Sequence, residues 1–508
     1  FYERRVAAIA GTWSRMALVL GLGLLVSGIL GELAAQKATS QRPASSPFNL
    51  SAGAIIKLES NLITCSVNNT GEVCVDPGGS PTVPGGFWPT GTTNAYIFNS
   101  GIQVAAVLGD DAGPWAGDTT GAYFFDPRGN QQHSTPLTDV YDSRNPADLA
   151  NWPQEAYIND PEIFNEQLLG QAVISDHDTW VKYWDGDPNA SANRVHPLGV
   201  MVEQRSLTFN SPAGAENVLF LIYKFTNITN DPTFQQLNEQ KFGIQLPDEG
   251  YTFTQVYAAF AMDPDVTDDA QANFATAILP FNLGLAYKGD FVAPDFNYAV
   301  RPSLYVSPFF PGPGIIGVKY LRSPVDPETG KEVGLTLFSN TLNISTGFPD
   351  PLGDKQLWRY LSGNISTALG DNPCNQPNPK ESRLCFLYQQ QVDTRFFQSS
   401  GPFTLRPGES ATIVTAYVFG PPVLVSGWAP GTAVPPGVPS MTPGKNGQPI
   451  RLIERIAGWV SSPDLEPDGT MDQSKVGVVP GSLLSNALVA QSIFNNKFLL
   501  PRPPLSPE

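Results

Sequence analysis

The sequence predicts an all-β, sandwich-like body with a single N-terminal transmembrane helix and a Pro/Gly-rich C-terminal segment. Among the 508 residues there are 47 glycines and 48 prolines, and 11% are aromatic, which is typical of short strands joined by many turns. Short apolar runs recur after residue 48, whereas one long uncharged run lies near the start. We divide the chain into a cytoplasmic stub with its anchor, a linker, an extracytoplasmic β-rich body and a carboxy-terminal segment, at residues 1–36, 37–47, 48–420 and 421–508.

The amino-terminal run carries no charge over residues 16–31, follows three arginines and ends at Glu32. Such a run is typical of a secretory signal or a membrane helix, and the arginines favour a cytoplasmic amino terminus. Residues 13–35 supply the roughly 20 positions that a membrane crossing requires. We interpret them as a retained, single-pass anchor in an inner membrane, with the bulk of the chain in the periplasm. A cleaved signal peptide is the alternative.

Small residues at Gly23, Ser27 and Gly31 recur every four positions and share one face of the predicted helix. A strip of small side chains lets a second helix approach closely, because lipid supplies no hydrophobic drive for association. We expect this face to pack against an integral membrane protein subunit. The alternative is that glycine is simply common in membrane helices.

The charge of the chain excludes some partners. With 47 acidic and 30 basic residues, the formal net charge is −17. Such a surface is repelled by nucleic acid and by anionic lipid headgroups. We therefore expect no nucleic-acid partner, and we expect membrane attachment through the helix rather than through a basic patch.

The four cysteines lie in two close pairs, Cys65 with Cys74 and Cys374 with Cys385. In an oxidising compartment each pair is expected to close a small disulfide loop. A four-thiolate zinc site needs tight CxxC pairs, which these spacings do not provide. Each bridge should stabilise a local loop by about 2–3 kcal/mol.

Strand patterns recur through the body as short apolar or alternating runs between turn residues. Asp160 and Pro161 form an N-cap and N1 pair that predicts a short helix, and helical spacing recurs twice after residue 449. The predicted strands are 95–107, 200–209, 217–229, 251–261, 315–321, 335–339, 385–397 and two strands within 402–420. The predicted helices are 161–169, 450–460 and 483–494.

Two acidic clusters are candidate calcium sites, because closely spaced carboxylates supply the hard oxygen ligands that this ion prefers. For the first cluster, at 176–187, the favoured interpretation is that the acids belong to Asp-Gly and Asp-Pro turns and face solvent, without binding a metal. The second directly follows a predicted strand. The candidate ligands are Asp176, Asp178, Asp185 and Asp187 in the first cluster, and Asp263, Asp265, Asp268 and Asp269 in the second.

A third acidic segment, 464–475, matches the start of an EF-hand loop but has Lys475 where a bidentate glutamate belongs. This departure removes the strongest ligand of such a loop. Calcium is the one cofactor that the sequence suggests.

Catalytic motifs are sparse. The three histidines, His133, His177 and His196, belong to no HExxH motif, and neither GxSxG nor a phosphate-binding loop occurs. Any two acids could meet in the fold to hydrolyse a glycoside, so spacing alone does not test a hydrolase. A sugar-binding platform would need exposed aromatic side chains, which in a β-sandwich more often fill the core. The candidates for that platform are Phe87, Trp88, Trp115, Trp180 and Trp184.

Six segments carry a family resemblance: 85–104, SDHDTW at 175–180, DGDP at 185–188, 196–206, 400–414 and 494–504. Together they resemble a group of large extracytoplasmic β-rich bacterial proteins, most of which have no assigned activity. The resemblance covers most of residues 48–504 and implies a β-rich fold without transferable catalytic residues. The chain also has a predicted plan of one helix and a large outer β domain. In this plan it is similar to membrane-extrinsic subunits of a bacterial photosynthetic reaction-centre–light-harvesting complex. The anchor contains no histidine that could serve as a pigment ligand.

These features predict a non-enzymatic accessory or scaffold subunit, anchored by one helix on the outer, periplasmic face of a membrane protein complex. The photosynthetic complex is the most specific form of this prediction. The alternatives are a surface protein that binds calcium or carbohydrate, and a secreted hydrolase.

Overall fold

The computed structural model describes residues 55–75, 85–125, 133–190, 194–267, 269–342, 350–374, 379–385, 390–439, 450–461 and 475–500. These residues belong to one compact unit, Ser46–Glu508. The predicted anchor, its packing residues Gly23, Ser27 and Gly31, Asp268 and most of the EF-hand-like segment lie outside the described residues. Within the described part, no helix has both the length and the apolar character needed to cross a membrane.

The fold is mostly β-sheet with a few short helices. The strands are β1 (Ile55–Leu58), β2 (Cys65–Asn68), β3 (Asn99–Leu108), β4 (Thr119–Tyr123), β5 (Thr135–Pro136), β6 (Tyr141–Asp142), β7 (His177–Trp184), β8 (Val200–Thr208), β9 (Val218–Asn227), β10 (Phe253–Asp263), β11 (Asn273–Ile278), β12 (Leu283–Lys288), β13 (Ile315–Arg322), β14 (Val325–Asp326), β15 (Lys331–Glu332), β16 (Leu337–Leu342), β17 (Leu384–Cys385), β18 (Thr394–Leu405), β19 (Ser410–Gly420), β20 (Trp459–Ser461) and β21 (Gly477–Val478). The α-helices are α1 (Pro146–Ala150), α2 (Pro232–Phe242), α3 (Asp354–Ser362), α4 (Pro379–Ser382), α5 (Leu452–Ile456) and α6 (Leu483–Asn495).

Two large sheets form the body. The six-stranded sheet has the order β17-β16-β18-β10-β3-β4, and the nine-stranded sheet has the order β11-β12-β13-β19-β9-β8-β7-β5, with β6 also paired to β7. All the pairings in them are antiparallel except that of β16 with β17. The neighbours β18 and β19 in the chain enter different sheets, so the turn between them crosses from one sheet to the other.

The two sheets pack face to face over a shared apolar core. Strand β9 of the nine-stranded sheet is buried on both of its faces. Leu221 and Tyr223 point into the core between the sheets, whereas Phe220 and Ile222 belong to a second core on the opposite face. This alternation follows from the two-residue period of a strand. Across the inner core, the rings of Tyr223 and Phe260 lie 6.0 Å apart. The arrangement is a β-sandwich.

Additional layers cover the outer faces of both sheets. On the nine-stranded sheet, Leu483 and Ala487 of α6 join the second core. Gly420 at the end of β19 permits this close approach, since a Cβ there would lie 2.2 Å from the backbone nitrogen of Leu483. On the six-stranded sheet, Leu357 and Leu361 of α3 pack over the outer face.

Most of the predicted strands are confirmed within a few residues. The predicted strand 385–397 instead covers the end of β17 and the start of β18, which are separate strands of one sheet. The predicted helix 483–494 is confirmed as α6, whereas only Leu452–Ile456 of the predicted helix 450–460 is helical, as α5, and the last two predicted residues belong to β20. Among the elements of six or more residues, strands β7, β11 and β12 and helices α2 and α3 were not predicted.

The predicted helix 161–169 is wrong. Only Glu166–Leu168 forms a single 3-10 turn. Asn165 is extended and caps that new turn, which interrupts the turn begun by Asp160.

Both predicted disulfides are confirmed. Cys65 bonds Cys74 and Cys374 bonds Cys385, with Cα–Cα distances of 4.7 and 4.6 Å. The first bridge joins β2 to the segment that follows it, and the second ends at β17 on the edge of the six-stranded sheet. Each therefore constrains a local loop.

Candidate functional site

The first acidic cluster is divided among separate hydrogen-bond networks, and Asp185 shows this most clearly. It directly follows β7, is fully buried, and accepts hydrogen bonds from Arg194 Nη2 (2.8 Å) and from the backbone N–H groups of Leu198 (2.8 Å), Gly199 (3.0 Å) and Val200 (2.6 Å). The carboxylate thereby fixes the end of β7 to the start of β8. Its oxygens hold the connection between two strands.

Asp178 lies inside β7 and is also fully buried. Its carboxylate accepts hydrogen bonds from the backbone of Ile174 and Ser175 and lies 3.4 Å from Arg205 Nη1. Burial raises the pKa of the Asp178 carboxyl, and the guanidinium of Arg205 opposes that rise. This acid therefore has a structural role within the strand.

The remaining two acids of this cluster are placed apart from these networks. Asp176 is exposed and accepts a hydrogen bond from the backbone N–H of Asn210 at 2.7 Å. Asp187 caps a turn by accepting the N–H of Asn189 at 2.9 Å. None of the four acids belongs to a convergent group of three potential metal ligands among the described residues.

The second acidic cluster does contribute to such a convergent group. One carboxylate oxygen from each of Asp263, Asp265 and Asp393 lies within 4.8 Å of the other two. The strand pairing explains why these carboxylates lie close together. β10 ends at Asp263, β18 begins just after Asp393, and the two strands run antiparallel with Met262 opposite Phe396. The end of one strand therefore lies beside the start of the other.

The buried cation Arg395 lies against this group. Its guanidinium is 2.8 Å from Asp263, 3.1 Å from Asp393 and 3.8 Å from Asp350. Burial and the neighbouring carboxylates raise the pKa of Asp263 well above its usual range, against the opposing effect of Arg395. Carboxyl groups are thus concentrated at this end of the six-stranded sheet.

The sequence identified only half of this site. Asp263 and Asp265 were predicted, but Asp269 lies apart from the convergent group and precedes a 3-10 turn. Asp350 and Asp393 were missed because their proximity depends on strand register. The useful signal was Asp393 followed by Arg395 near the end of the predicted strand 385–397.

The three histidines are buried in the body. His177 Nε2 lies 2.7 Å from a carboxylate oxygen of Asp142, and the ring of His196 stacks on Trp115 at 4.1 Å. Burial lowers the pKa of His196. His133 packs within the same body, so each imidazole is part of the fold's interior.

The aromatic residues proposed for a sugar platform are all buried, with exposed fractions between 0% and 8%. Trp88 illustrates the reason: it stacks on Phe419 at 6.0 Å and donates its indole N–H to Asn217 at 2.9 Å. These side chains fill the interior of the sandwich. In this arrangement they offer no exposed stacking surface for a sugar ring.

One open depression of about 360 Å³ lies on the described surface. It is lined by two acids, Glu162 and Glu332, and by two cations, Arg322 and Lys497. Lys497 also donates a hydrogen bond to the backbone carbonyl of Pro161 at 2.7 Å. The depression therefore lies where the carboxy-terminal segment contacts the body.

Fold and side-chain environment together define a disulfide-bonded β-sandwich protein with buried ion-pair networks. No protein-family model matches the chain. No curated protein matches it at a significant level.

Proposed function

We propose that the protein is a non-enzymatic accessory or scaffold subunit, held by one helix on the outer face of a membrane protein complex. The observation that carries this proposal is that the reactive side chains serve the fold itself. All three histidines are buried, all four cysteines form disulfides, and Asp178 and Asp185 hold strands. The disulfides support an oxidising compartment such as the periplasm.

A surface formed by residues 289–310 and 422–434 supports contact with a partner. Backbone hydrogen bonds join these two segments, including Leu424 N–H to Pro308 O at 2.8 Å. Val292, Val306 and Leu424 on them are 40%, 62% and 53% exposed. Exposed aliphatic side chains grouped on joined segments are typical of interaction surfaces.

Aromatic packing holds these segments in place beneath that surface. The ring of Trp428 lies 5.7 Å from Phe291 and 5.4 Å from Phe310. A surface that is already ordered loses little conformational entropy when a partner binds. A photosynthetic reaction-centre–antenna complex is the narrowest form of this proposal, and its support is the shared plan of one helix with a large outer domain.

Replacing Gly23 and Gly31 with leucine is expected to reduce recovery of the partner. The larger side chains would separate the predicted anchor from a partner helix, since small residues permit close packing in lipid. The measurement is quantitative mass spectrometry of the proteins that co-purify after extraction in a mild detergent. Gly21→Leu is the matched control, because it makes the same substitution on a different face of the predicted helix. Unchanged partner recovery in the Gly23→Leu, Gly31→Leu variant would reject the helix contact.

Replacing Val306 and Leu424 with glutamate is expected to weaken the same association at least about tenfold. Two new charges would have to be desolvated in an apolar contact. Leu149→Glu is a matched control, because Leu149 is 45% exposed and lies in α1, outside the joined segments. If the control and the double variant release the partner equally, this surface is not the contact.

A further inference from the structure

We propose that Asp263, Asp265 and Asp393 form a calcium site at one end of the six-stranded sheet. One oxygen from each carboxylate lies within 4.8 Å of the other two. Calcium binds oxygen at about 2.3–2.6 Å, so ligands on opposite sides of the ion lie up to about 5 Å apart. Three carboxylates without a histidine or thiolate favour a hard cation over zinc.

A buried oxygen of Asp263 supplies an independent observation that points to a ligand. Asp263 is 1% exposed, and its Oδ1 accepts no hydrogen bond from any described residue. Its other oxygen faces Arg395 Nη2 at 2.8 Å. Burying an anionic oxygen without a partner is costly, and a cation between the three carboxylates would supply that partner.

The charge balance points the same way. The carboxylates of Asp263, Asp265, Asp350 and Asp393 interact at this position, and Arg395 is the cation that faces them. In their ionised forms these four carboxylates carry four negative charges against the one positive charge of Arg395, an excess of three. A calcium ion would reduce that excess to one, because Arg395 alone, at 2.8 Å from Asp263, 3.1 Å from Asp393 and 3.8 Å from Asp350, offsets only one of the four charges.

The group can be reached by an ion from solvent, and two of its carboxylates are fixed at strand ends, as a metal site requires. Asp265 is only partly buried, so an ion can reach the group from solvent. Asp263 ends β10, and Asp393 immediately precedes β18. Asp350 accepts a hydrogen bond from Thr341 of β16 at 2.6 Å. An ion bound here would tie the end of β10 to the start of β18, and its binding should therefore stabilise the body.

The experiment is calcium titration of the full chain in detergent after removal of divalent ions with EDTA, followed by calorimetry and thermal unfolding. We expect one calcium ion to bind at this site and to raise the Tm by roughly 3 °C when calcium exceeds the Kd 100-fold. Asp265→Asn should weaken this binding at least about tenfold, because ligand charge sets calcium affinity. Magnesium should bind at least about tenfold more weakly, since it requires shorter, octahedral coordination.

Asp176→Asn is the matched control, because it removes one negative charge from an exposed acid of the other cluster, and it should leave calcium affinity unchanged. Circular dichroism establishes that both variants are folded. If Asp265→Asn fails to fold, the unmodified chain still tests the proposal. Absence of a Tm shift at 10 mM calcium (about tenfold above the weakest extracellular sites) would overturn it. Equal calcium affinity in Asp265→Asn, or equal affinity for magnesium, would also overturn it.

Discussion

Replacing Asp185 with alanine is expected to destabilise the fold by about 3–5 kcal/mol, the range observed when one partner of a buried ion pair is removed. Arg194, whose side chain is 1% exposed, would keep its charge without its carboxylate partner. The backbone N–H groups at 198–200 would also lose their acceptor. Urea unfolding monitored by fluorescence measures this loss directly.

Asp176→Ala provides the comparison for that experiment. Asp176 is exposed, and its carboxylate accepts hydrogen bonds from the backbone and side-chain N–H groups of Asn210, which lies just beyond the end of β8. Because this contact is exposed to solvent, its removal should cost less than about 1 kcal/mol. If Asp185→Ala unfolds at the same urea concentration as Asp176→Ala, other contacts must hold the β7–β8 connection, and the role assigned to Asp185 would be wrong.

Replacing Lys319 with methionine is expected to stabilise the fold by about 1–4 kcal/mol at pH 7. The unfolded chain keeps a proton that the buried amine tends to lose, and methionine removes the cost of that loss. Lys319 is 1% exposed in β13, and its ammonium donates to the backbone carbonyl of Phe281 at 2.6 Å. Burial lowers the pKa of Lys319 to about 7. The charged form is therefore disfavoured in the folded chain.

The same shift gives a pH signature. Between pH 7 and the ordinary lysine value near 10.5, the unfolded chain binds a proton that the folded chain does not, so stability rises with pH. From pH 7 to pH 9, wild type should gain about 2 kcal/mol relative to Lys319→Met. Comparing the two proteins at each pH cancels the titration of other groups. Parallel stability curves would contradict the lowered pKa.

Much of the sheet structure was predictable because the central strands carry long apolar runs. Residues 217–229 were predicted as a strand and form β9, whose two buried faces require apolar residues at successive positions. β7 was missed because Asp178 and Asp185 resemble turn acids. Their burial becomes favourable only after Arg205 and Arg194 are brought beside them by tertiary structure.

The site was less predictable than the fold for a related reason. A local cluster of acids marks carboxylates that are close in the chain, whereas the convergent group depends on which strand ends meet. Asp263 and Asp265 lie at and after the end of β10, but Asp393 reaches them only through the pairing of β10 with β18. Asp269 is nearer to Asp265 in sequence and yet lies outside the group.

The passage of β18 and β19 into different sheets constrains the order in which a newly made chain can mature. β18 separates β16 from β10, and β19 separates β13 from β9. Until residues 394–420 emerge, each sheet exists as two halves with open edges, which are prone to pair with other chains. Synthesis would therefore deliver most of the polypeptide before either sheet could close, and a holding chaperone would have its greatest effect during that interval.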